Sequence, residues 1–204
     1  MRTIQLGVKR AFDMAGSLAA LLLLLPLLGL VALAIIIDSP GPPIFRLRVS
    51  GKKGIPFLQW TYRSMIVDAQ KKGHPYQTSA GDPRITRVGH WLRRWSLDEL
   101  PQLWNVLRGD MSLVGPRPTF VAVAEKYSME ERRRLEMRPG LTGLAQVSGR
   151  NLLPWPKRVK LDVEYVKDYS LWLDLVIMMK TIPILFRKEG LYGAEGEVRM
   201  HHPV

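Results

Sequence analysis

The strongest constraint on this chain is an uncharged apolar run near its N-terminus. From Met14 to Ile37 there are 24 residues without a charged side chain, bracketed by Asp13 and Asp38. As a helix this run would be roughly 36 Å long, and a bilayer core is about 30 Å thick. The run is not followed by a small-residue cleavage site of the A-x-A kind, and residues 38–43 contain three prolines. It therefore predicts a retained membrane anchor rather than a removed signal peptide.

Two topologies of this anchor remain open. Pro26 lies near the middle of the run, where it removes a backbone donor from the helix, and each arm about it would be roughly 18 Å long. Basic residues flank the run on both sides, namely Arg2, Lys9 and Arg10 before it and Arg46, Arg48, Lys52 and Lys53 after it. This symmetry favours both ends on the cytoplasmic side, and so a re-entrant hairpin bent at Pro26. The alternative is a kinked single span, because prolines are tolerated in membrane helices.

Composition narrows the function classes. A chain of 204 residues fits one domain with a real core. The absence of cysteine excludes disulfides, thiolate nucleophiles and cysteine-ligated metal sites. The 30 Lys and Arg against 18 Asp and Glu give a formal charge of +12. Such an excess predicts anionic partners, either lipid headgroups, phosphorylated small molecules or nucleic acid, and does not choose among them.

After the anchor, local patterns predict a predominantly helical α+β chain with one short β-hairpin. The hairpin strands are expected at Ile44–Val49 and Pro56–Tyr62, around a turn at residues 51–54. One helix is expected to begin at about Ile85, a second to end at Gly109, and a third to follow the capping box at Ser128. Two further helices are expected over Lys157–Tyr169 and Leu171–Arg187. The last helix suits either the membrane surface or a buried core. Residues 71–84, 138–143 and 148–151 predict loops because they are rich in Gly and Pro.

The candidate chemistry centres on Asp98 and Glu99. Pro101 is tolerated only in the first turn of a helix, so the spacing predicts a helix that starts at about Asp98, with Asp98 as its N-cap. The positive end of that helix would keep both carboxylates ionised. Plain capping is the structural alternative to a catalytic role.

Arginines surround this pair in the sequence. Arg93 and Arg94 precede it, and Arg117, Arg138 and Arg150 lie in segments rich in Gly and Pro. Guanidinium groups make forked contacts with phosphate oxygens. Carboxylates beside arginines suit magnesium-assisted chemistry on a diphosphate, and a carboxylate can also attack phosphorus directly. Motifs of P-loop, dinucleotide-binding, serine-hydrolase and zinc-protease sites are absent, and the histidines at 74, 90, 201 and 202 do not predict a metal site.

Several strings in order carry a resemblance to a known family. They are Lys9–Asp13, Ser39–Pro42, Arg63–Met65, Asp82–Thr86, Ser96–Gln102, Asn105–Pro118, Arg138–Gly143 and Gln146–Asn151. With these, over roughly residues 8–190, the chain resembles the bacterial sugar transferases. These are the monotopic polyprenyl-phosphate phosphoglycosyl transferases, here in the length of their minimal catalytic form.

The resemblance implies a fold and a location. It implies a re-entrant membrane helix hairpin over residues 1–40, bent at Pro26, and a small cytoplasmic catalytic domain with interfacial helices over residues 41–190. A loose tail would occupy residues 191–204. The active site would lie at the cytoplasmic face of the bacterial inner membrane.

The resemblance also implies a mechanism and partners. Asp98 would attack the sugar-linked phosphorus of a UDP-sugar, UMP would leave, and the phosphosugar would pass from Asp98 to polyprenyl phosphate to start glycan assembly. Glu99 would assist with proton handling, and Asp98 and Glu99 would hold Mg²⁺. Arg93, Arg117, Arg138 and Arg150 match the phosphate-side positions of the family. Partners would be the UDP-sugar, polyprenyl phosphate and membrane lipid but not nucleic acid, and homo-oligomerisation is left open.

Three positions depart from the family pattern. Thr61 stands where Lys is usual, Leu47 stands where Gln is common, and Arg48 is displaced by one residue. They leave the Asp98–Glu99 chemistry intact and put in doubt any headgroup or phosphate contact made from that segment. Two rival hypotheses remain. The charge of +12 also fits a membrane-tethered basic binding module without catalysis, and Thr61 and Leu47 suggest a degenerate family member with a scaffolding role.

Overall fold

The computed structural model describes residues 2–72, 77–79, 81–186 and 197–199. Its helices are α1 (Arg2–Asp38), α2 (Arg87–Arg94), α3 (Gln102–Arg108), α4 (Val121–Glu125), α5 (Met129–Arg132), α6 (Leu144–Val147), α7 (Trp155–Lys167) and α8 (Leu171–Phe186). Its strands are β1 (Ile44–Ser50), β2 (Pro56–Tyr62), β3 (Gln77–Ser79), β4 (Ser112–Val114), β5 (Thr119–Phe120), β6 (Gly140–Thr142) and β7 (Glu197–Arg199). The predicted α+β class with a predominance of helix is confirmed.

The predicted anchor is one helix, α1, which continues through Pro26 without a break in its helical assignment. A bend at Pro26 and re-entry into the membrane therefore stay predictions. Among the described residues, α1 is the helix whose length and composition would allow it to cross a membrane, and 11% of its most apolar window is buried. A core helix of a soluble protein would be mostly buried. Leu22, Leu23 and Leu25, beside Pro26, are all exposed, Leu23 to 81%.

The part of α1 before Pro26 is joined to the rest of the chain by buried polar contacts. Lys9 donates hydrogen bonds of 2.6 Å to Asp174 and 2.8 Å to the carbonyl of Val114. The Asp13 carboxylate accepts a 2.9 Å bond from the backbone N–H of Leu113. Lys9, Asp13 and Asp174 are each less than 10% exposed. Burial of these charges is tolerated because Lys9 and Asp174 pair with each other and the Asp13 carboxylate accepts hydrogen bonds from Leu113 N–H and the Ser112 hydroxyl.

The part of α1 after Pro26 packs on the same domain through apolar side chains. Val31 and Ile35 are buried in a cluster with Tyr62 and Leu92. The Tyr62 hydroxyl also donates a 2.7 Å bond to the carbonyl of Leu28. At the end of the helix, the Asp38 carboxylate accepts a 3.0 Å bond from Val88 N–H in the first turn of α2. Both halves of α1 are thus fixed to the domain that follows it.

The predicted hairpin is confirmed. β1 and β2 pair antiparallel from Ile44 opposite Tyr62 to Ser50 opposite Pro56. A third strand, β5, pairs with the end of β1, where Val49 lies opposite Phe120. β5 has only two residues, which is too short to produce an alternating pattern in the sequence.

A second pairing falls in a predicted loop. β6 lies at residues 140–142 and pairs parallel to β4, with Ser112 opposite Gly140 and Val114 opposite Thr142. The prediction of a loop over 138–143 is therefore wrong for these residues, because the pairing partner lies far away in sequence. Glycine is required at position 140, where a Cβ atom would lie 2.1 Å from the backbone nitrogen of Gly115.

Most predicted helix ends are confirmed. α2 begins after Thr86, whose hydroxyl accepts a bond from Gly89 N–H, and α3 ends at Gly109, whose φ is 95°. The capping box of Ser128 and Glu131 is formed in α5. The residues at 150–152 form a 3-10 turn rather than an open loop.

The last two helices match their predictions within a few residues. In α8, Ile177 is fully buried in a cluster with Tyr165, whereas Trp172 is 71% exposed and Met179 is 61% exposed. Both alternatives for this helix are therefore partly right, since one face is core and the other is an exposed apolar surface.

Some predictions fall outside the described residues. Arg187, His74, His201 and His202 lie outside them, as does most of the predicted tail at 191–204. The described part of that tail, residues 197–199, forms β7, which pairs antiparallel with β3 inside the predicted 71–84 loop. The boundary between residues 190 and 191 stays a prediction.

Candidate active site

Asp98 and Glu99 lie in a tight turn between α2 and α3. Ser96 takes a left-handed conformation with a φ of 54°, and Leu97–Glu99 then form one turn of 3-10 helix. α3 begins only at Gln102, and its N-cap residue is Pro101, whose side chain makes no capping hydrogen bond. The prediction that Asp98 caps a helix starting there is therefore wrong.

The 3-10 turn is held by its apolar residues. Leu97 and Leu100 pack against the cluster that contains Leu92. Bonds of 3.3 Å from Glu99 N–H to the carbonyl of Ser96 and of 3.2 Å from Leu100 N–H to that of Leu97 close the turn. Because the leucines are turned to the core, the two carboxylates between them line open space, and capping does not consume them.

Two neighbouring cavities, each of about 490 Å³, meet at this carboxylate pair. We call one the helical cavity, because residues around α6, α7 and α8 line it, including Gln146, Arg158 and Met178. We call the other the sheet cavity, because residues of β1, β2 and β5 line it, including Leu47, Gln59 and Phe120. Both cavities are lined by Thr78, Arg93, Asp98, Glu99 and Arg117. A group bound in either cavity can therefore reach the same two carboxylates.

Two of the predicted arginines are fixed beside the carboxylates. Arg117 donates a 2.7 Å bond to Glu99. Arg93, in the last turn of α2, donates a 2.8 Å bond from Nε to the hydroxyl of Ser64, which orients its guanidinium. The terminal nitrogens of a guanidinium held in this way are suited to bind phosphate oxygens.

The electrostatics of the pair differ from the sequence-based expectation. Burial, together with the charge of Glu99, raises the pKa of Asp98 from 3.8 to about 6, although Arg93 and Arg117 oppose the shift. The expectation that the positive end of a helix would stabilise the ionised carboxylate of Asp98 is therefore not met, because burial has the larger effect on its pKa. Asp98 remains mostly ionised at pH 7, and a carboxylate with a raised pKa is the more basic and nucleophilic one.

Arg150 also lines the helical cavity. Its backbone is left-handed with a φ of 52°, a conformation that costs a non-glycine residue about 1–3 kcal/mol. Burial lowers the pKa of its guanidinium, Glu99 raises it, and Arg117 lowers it. These influences place Arg150 close to both Glu99 and Arg117, so three of the four predicted arginines converge on the carboxylate pair.

The fourth, Arg138, is bound elsewhere. Its Nε donates a 2.8 Å bond to the carbonyl of Gly109, the residue that ends α3. Arg10 donates bonds of 2.6 and 2.8 Å to the carbonyls of Val106 and Leu107 in the last turn of the same helix. Among the described residues that line the two cavities, Arg138 does not occur. A phosphate contact by Arg138 stays a prediction. The hydrogen bond to Gly109 places the Arg138 side chain at the C-terminal end of α3, which is the end farther from Asp98.

Sequence reasoning missed a second charged group in the wall of the helical cavity. Arg134 and Asp162 form an ion pair that is almost fully buried, and Arg134 also donates to the Tyr127 hydroxyl. Burial raises the pKa of Asp162 against the opposing charge of Arg134. Burial also lowers the pKa of Arg158 to about 10, with Arg117 and Arg134 adding to the shift.

A weak sequence signal for this group exists in α7. Arg158, Asp162 and Tyr165 are spaced at i, i+4 and i+7, so they share one helix face. Tyr165 is fully buried, so charged residues on that face point inward. Arg134 carries no comparable signal, because its partner lies 28 positions later in the chain.

Two of the departures from the family pattern lie together. Leu47 and Thr61, on the paired strands β1 and β2, both line the sheet cavity. The Thr61 hydroxyl donates a 3.4 Å bond to the carbonyl of Phe45. Both substitutions thus change the wall of a cavity that reaches Asp98.

The comparison with known families decides the identity of the fold. Residues 4–188 match the family model described as bacterial sugar transferase. The chain belongs to the bacterial sugar transferase family. The match runs from the first turns of α1 to the end of α8, so it includes both the anchor and every residue of the site. The resemblance inferred from the motifs is confirmed.

This bacterial sugar transferase is similar to several named proteins. A protein of Erwinia amylovora named UDP-galactose-lipid carrier transferase is 42% identical in an alignment of 199 residues that covers 91% of this chain and 42% of that protein. The undecaprenyl-phosphate glucose phosphotransferase of Komagataeibacter xylinus is 47% identical in an alignment of 185 residues that covers 85% of this chain and 35% of that protein. The UDP-glucose:undecaprenyl-phosphate glucose-1-phosphate transferase of Caulobacter vibrioides is 44% identical in an alignment of 193 residues that covers 90% of this chain and 72% of that protein. The chain thus spans less than half the length of the first two relatives.

Proposed function

We propose that this bacterial sugar transferase moves a sugar 1-phosphate from a UDP-sugar to polyprenyl phosphate, with Asp98 as the nucleophile and UMP as the product that leaves. The observation that carries the proposal is the place of Asp98. It lies with Glu99 at the junction of two cavities, among Arg93, Arg117 and Arg150. The names of two similar proteins support these substrate classes. One name contains UDP-galactose and a lipid carrier, and the other contains UDP-glucose and undecaprenyl phosphate.

The first step is a displacement at phosphorus. A carboxylate oxygen of Asp98 attacks the sugar-bearing phosphorus of the donor, and a phosphorus–oxygen bond to Asp98 forms. The bond from that phosphorus to the oxygen it shares with the UMP phosphate breaks, and UMP leaves with the electron pair. The raised pKa of Asp98 supports this role, because it marks a carboxylate of increased nucleophilicity that is still ionised at pH 7.

The second step returns the enzyme to its starting state. A phosphate oxygen of polyprenyl phosphate attacks the same phosphorus, and the bond to Asp98 breaks. The products are a polyprenyl diphosphate sugar and the free carboxylate of Asp98. Two cavities that meet at one carboxylate support two substrates that react with it in succession.

The arginines and Glu99 provide electrostatic support. Charge on the transferring phosphoryl group is stabilised by fixed cations that need no rearrangement during the reaction. Arg93 is fixed by Ser64, and Arg117 is fixed by Glu99. Glu99 therefore acts first by holding Arg117 and raising the pKa of Asp98, and we also assign proton handling to it as part of this proposal.

The carboxylate pair fits a magnesium ion that is shared with the substrate. Among the described residues, no group of three or more His, Cys, Asp or Glu could hold a metal ion by itself. Mg²⁺ often binds one or two carboxylates together with substrate phosphates, and Asp98 and Glu99 supply two carboxylates. When bound there with the donor, Mg²⁺ would offset the charge of the diphosphate.

We further propose that α1 anchors the protein in the membrane. The exposed apolar surface of α1 is unfavourable in water, and α8 adds further exposed apolar side chains, Trp172 and Met179. Exposed tryptophans support an interfacial position for this part of the chain, because Trp is enriched at membrane interfaces. They are Trp91 on α2, Trp95 directly after α2 and Trp104 on α3. The active site then lies close to the bilayer surface, where a polyprenyl phosphate presents its headgroup.

The contacts of α1 support re-entry rather than a single span. Asp13, before Pro26, binds β4, and Asp38, after Pro26, binds the start of α2 in the same domain. A helix that crossed the bilayer would place these two carboxylates on opposite sides of about 30 Å of hydrocarbon. Loops and strands of the domain would then have to cross lipid, which irregular backbone does not do. Basic residues on both flanks favour the cytoplasmic side for both ends.

The experiment is a transfer assay with purified protein, polyprenyl phosphate, Mg²⁺ and a panel of UDP-sugars that includes UDP-glucose and UDP-galactose, read as free UMP. We expect UMP release with at least one donor, and Asp98→Asn should reduce it to background. The matched control is Asp168→Asn, at an exposed carboxylate that ends α7, which should keep wild-type activity. Full activity of Asp98→Asn would refute the assigned nucleophile.

The same assay tests the rival binding module. That hypothesis predicts no UMP release from any donor and binding to anionic vesicles that weakens steeply with salt, without dependence on Asp98. Release of UMP above background removes both this rival and the scaffolding role.

A further inference from the structure

One side chain in the helical cavity has no partner within the part of the chain that the structure describes. Both the nitrogen and the oxygen of the Gln146 carboxamide are buried, and neither has a hydrogen-bond partner. Gln146 lines the same cavity as Asp98 and Arg150. Buried polar groups in native proteins are nearly always bonded, so a carboxamide left without partners requires an explanation.

A second buried amide in this protein is fully satisfied. Asn105 accepts a 2.9 Å bond from Trp60 N–H, and its nitrogen donates 2.8 and 3.2 Å bonds to Leu58 and Asp110. Asn105 lies in α3 and lines neither cavity. Asn105, which no ligand in either cavity could reach, is thus bonded within the protein, whereas Gln146, which lines a cavity, is not. This difference suggests that a ligand in the helical cavity provides the missing partners of Gln146.

The backbone around Gln146 is held in place on two sides. Gly143 precedes α6, and a Cβ atom there would lie 2.1 Å from the Gly115 carbonyl and 2.8 Å from Oε1 of Gln146. The hydroxyls of Thr142 and Thr181 are 2.7 Å apart and join this segment to α8. Gln146 is therefore carried on a fixed backbone in the cavity wall, and rotation about its side-chain bonds turns the carboxamide toward a ligand.

The chemistry of a carboxamide selects the group that it can satisfy. Nε2 donates and Oε1 accepts, so the matching ligand group must both accept and donate. A phosphate oxygen only accepts, and it would leave Oε1 unsatisfied. A polyprenyl chain offers neither kind of group. Within a UDP-sugar, the imide edge of uracil, the ribose hydroxyls and the hydroxyls of the transferred sugar offer both.

We propose that Gln146 is a specificity-determining residue that reads a neutral donor–acceptor group of the nucleotide-sugar in the helical cavity. This inference rests on the proposed function and deepens it, since it assigns the helical cavity to the donor substrate. The arginines then bind the diphosphate, and Gln146 recognises an uncharged part of the same molecule.

The test uses the full chain in detergent or nanodiscs and compares wild type with Gln146→Met, which keeps the side-chain volume and removes both polar atoms. Dissociation constants are measured for UDP-glucose, UDP-galactose, UDP and UMP, together with the melting temperature of the unliganded protein. We expect affinity for the preferred UDP-sugar to fall at least tenfold, while the melting temperature stays equal or rises. The stability should not fall, because two unsatisfied buried groups are removed. Gln5→Met, the same change on α1, is the control and should alter neither quantity.

The nucleotides distinguish the two sources of the recognised group. Equal losses for UDP-sugar and UDP support recognition of the uridine part, by the uracil edge or a ribose hydroxyl, whereas a loss confined to UDP-sugar supports a hydroxyl of the transferred sugar. Unchanged affinities, or nucleotide binding that is absent in wild type, would overturn the inference. A fall in melting temperature in both Gln146→Met and the near-isosteric Gln146→Glu would also overturn it, since it would assign Gln146 to packing. If wild type binds UDP-sugars but releases no UMP, the proposed function fails. The ratio of dissociation constants between Gln146→Met and wild type still tests whether Gln146 recognises the nucleotide-sugar.

Discussion

Lys9 and Asp174 lie 165 positions apart in the chain and form a 2.6 Å ion pair whose side chains are less than 10% exposed. The pair joins the start of α1 to α8. The Tyr165 hydroxyl donates a 2.7 Å bond to the second oxygen of Asp174, so both carboxylate oxygens are bonded. The long apolar helix α1 is thus fixed to the rest of the chain by a buried charge pair as well as by apolar packing.

We expect Lys9→Met to destabilise the protein by about 3–5 kcal/mol, because it leaves the Asp174 charge buried without its cation. Replacing both partners in Lys9→Met/Asp174→Asn should recover most of that loss. The control is Lys167→Met, which breaks a 2.6 Å pair with Glu130 that is largely exposed and should leave the stability nearly unchanged. Chemical unfolding in detergent measures all three, and equal losses for the two single variants would contradict the assigned role of burial.

The raised pKa of Asp98 predicts a pH dependence of the first step. UMP release should rise with pH through a midpoint of about 6, because only the ionised carboxylate attacks. Single-turnover UMP release between pH 5 and pH 8 measures it. A profile that is flat over this range would contradict Asp98 as the titrating nucleophile.

The same shift predicts a stability effect of opposite sign. The pKa of Asp98 is about 6 when folded against 3.8 ordinarily, so between these values the folded protein holds a proton that the unfolded chain has lost. Stability contributed by this group therefore falls as pH rises through that window. Asp98→Asn cannot ionise, so its melting temperature relative to wild type should be higher at pH 7 than at pH 4. A difference that is independent of pH would argue against the buried, raised-pKa carboxylate.

Arg138 tests the difference between sequence motif and structure. Its bond to the carbonyl of Gly109 places it at the far end of α3 from Asp98. We expect Arg138→Ala to lower the melting temperature and to leave the KM for the UDP-sugar within about twofold, since a lost hydrogen bond to a charged group costs about 1.5–3 kcal/mol. Arg150→Ala is the comparison and should raise that KM at nearly constant melting temperature. A large rise of KM in Arg138→Ala would support the phosphate contact instead.

The absence of cysteine makes the topology of α1 directly measurable. Thr3→Cys lies before the apolar run and Lys126→Cys lies in the catalytic domain, and both positions are exposed. Re-entry predicts that a membrane-impermeant maleimide added outside intact spheroplasts labels neither, and that it labels both after lysis. A single span predicts labelling of Thr3→Cys alone in intact spheroplasts, and that result would reject the hairpin.

Local signals in the sequence predicted much of the fold. The apolar run, the hairpin of β1 and β2, the capping box at Ser128 and the stop at Gly109 depend on residues that are neighbours in the chain. The parallel pairing of β4 with β6 was missed, because its partners are far apart in the sequence and each strand has only three residues. The pairing of β3 with the predicted tail was missed for the same reason.

For the site, too, the features that depend on neighbouring residues were predicted, and those that depend on distant residues were missed. The sequence predicted that Asp98 and Glu99 lie near Arg93, Arg117 and Arg150, and the structure brings these five together. It did not predict the 3-10 turn that frees Asp98 from capping, because that turn depends on how Leu97 and Leu100 meet a core formed by α1 and α2. It also missed Arg134, Asp162 and Gln146, whose importance lies in burial and in the presence or absence of partners.

The sequence by itself determined the elements and the reactive groups, namely an apolar helix, an acidic pair and a set of arginines. Residue type and spacing fix these features, since helix periodicity and side-chain charge are local properties. Only the tertiary structure decided which arginines face the carboxylates, that Arg138 turns to a helix end, and that burial raises the pKa of Asp98. Distance and desolvation in three dimensions set those outcomes, and neither is a property of neighbouring residues in a chain.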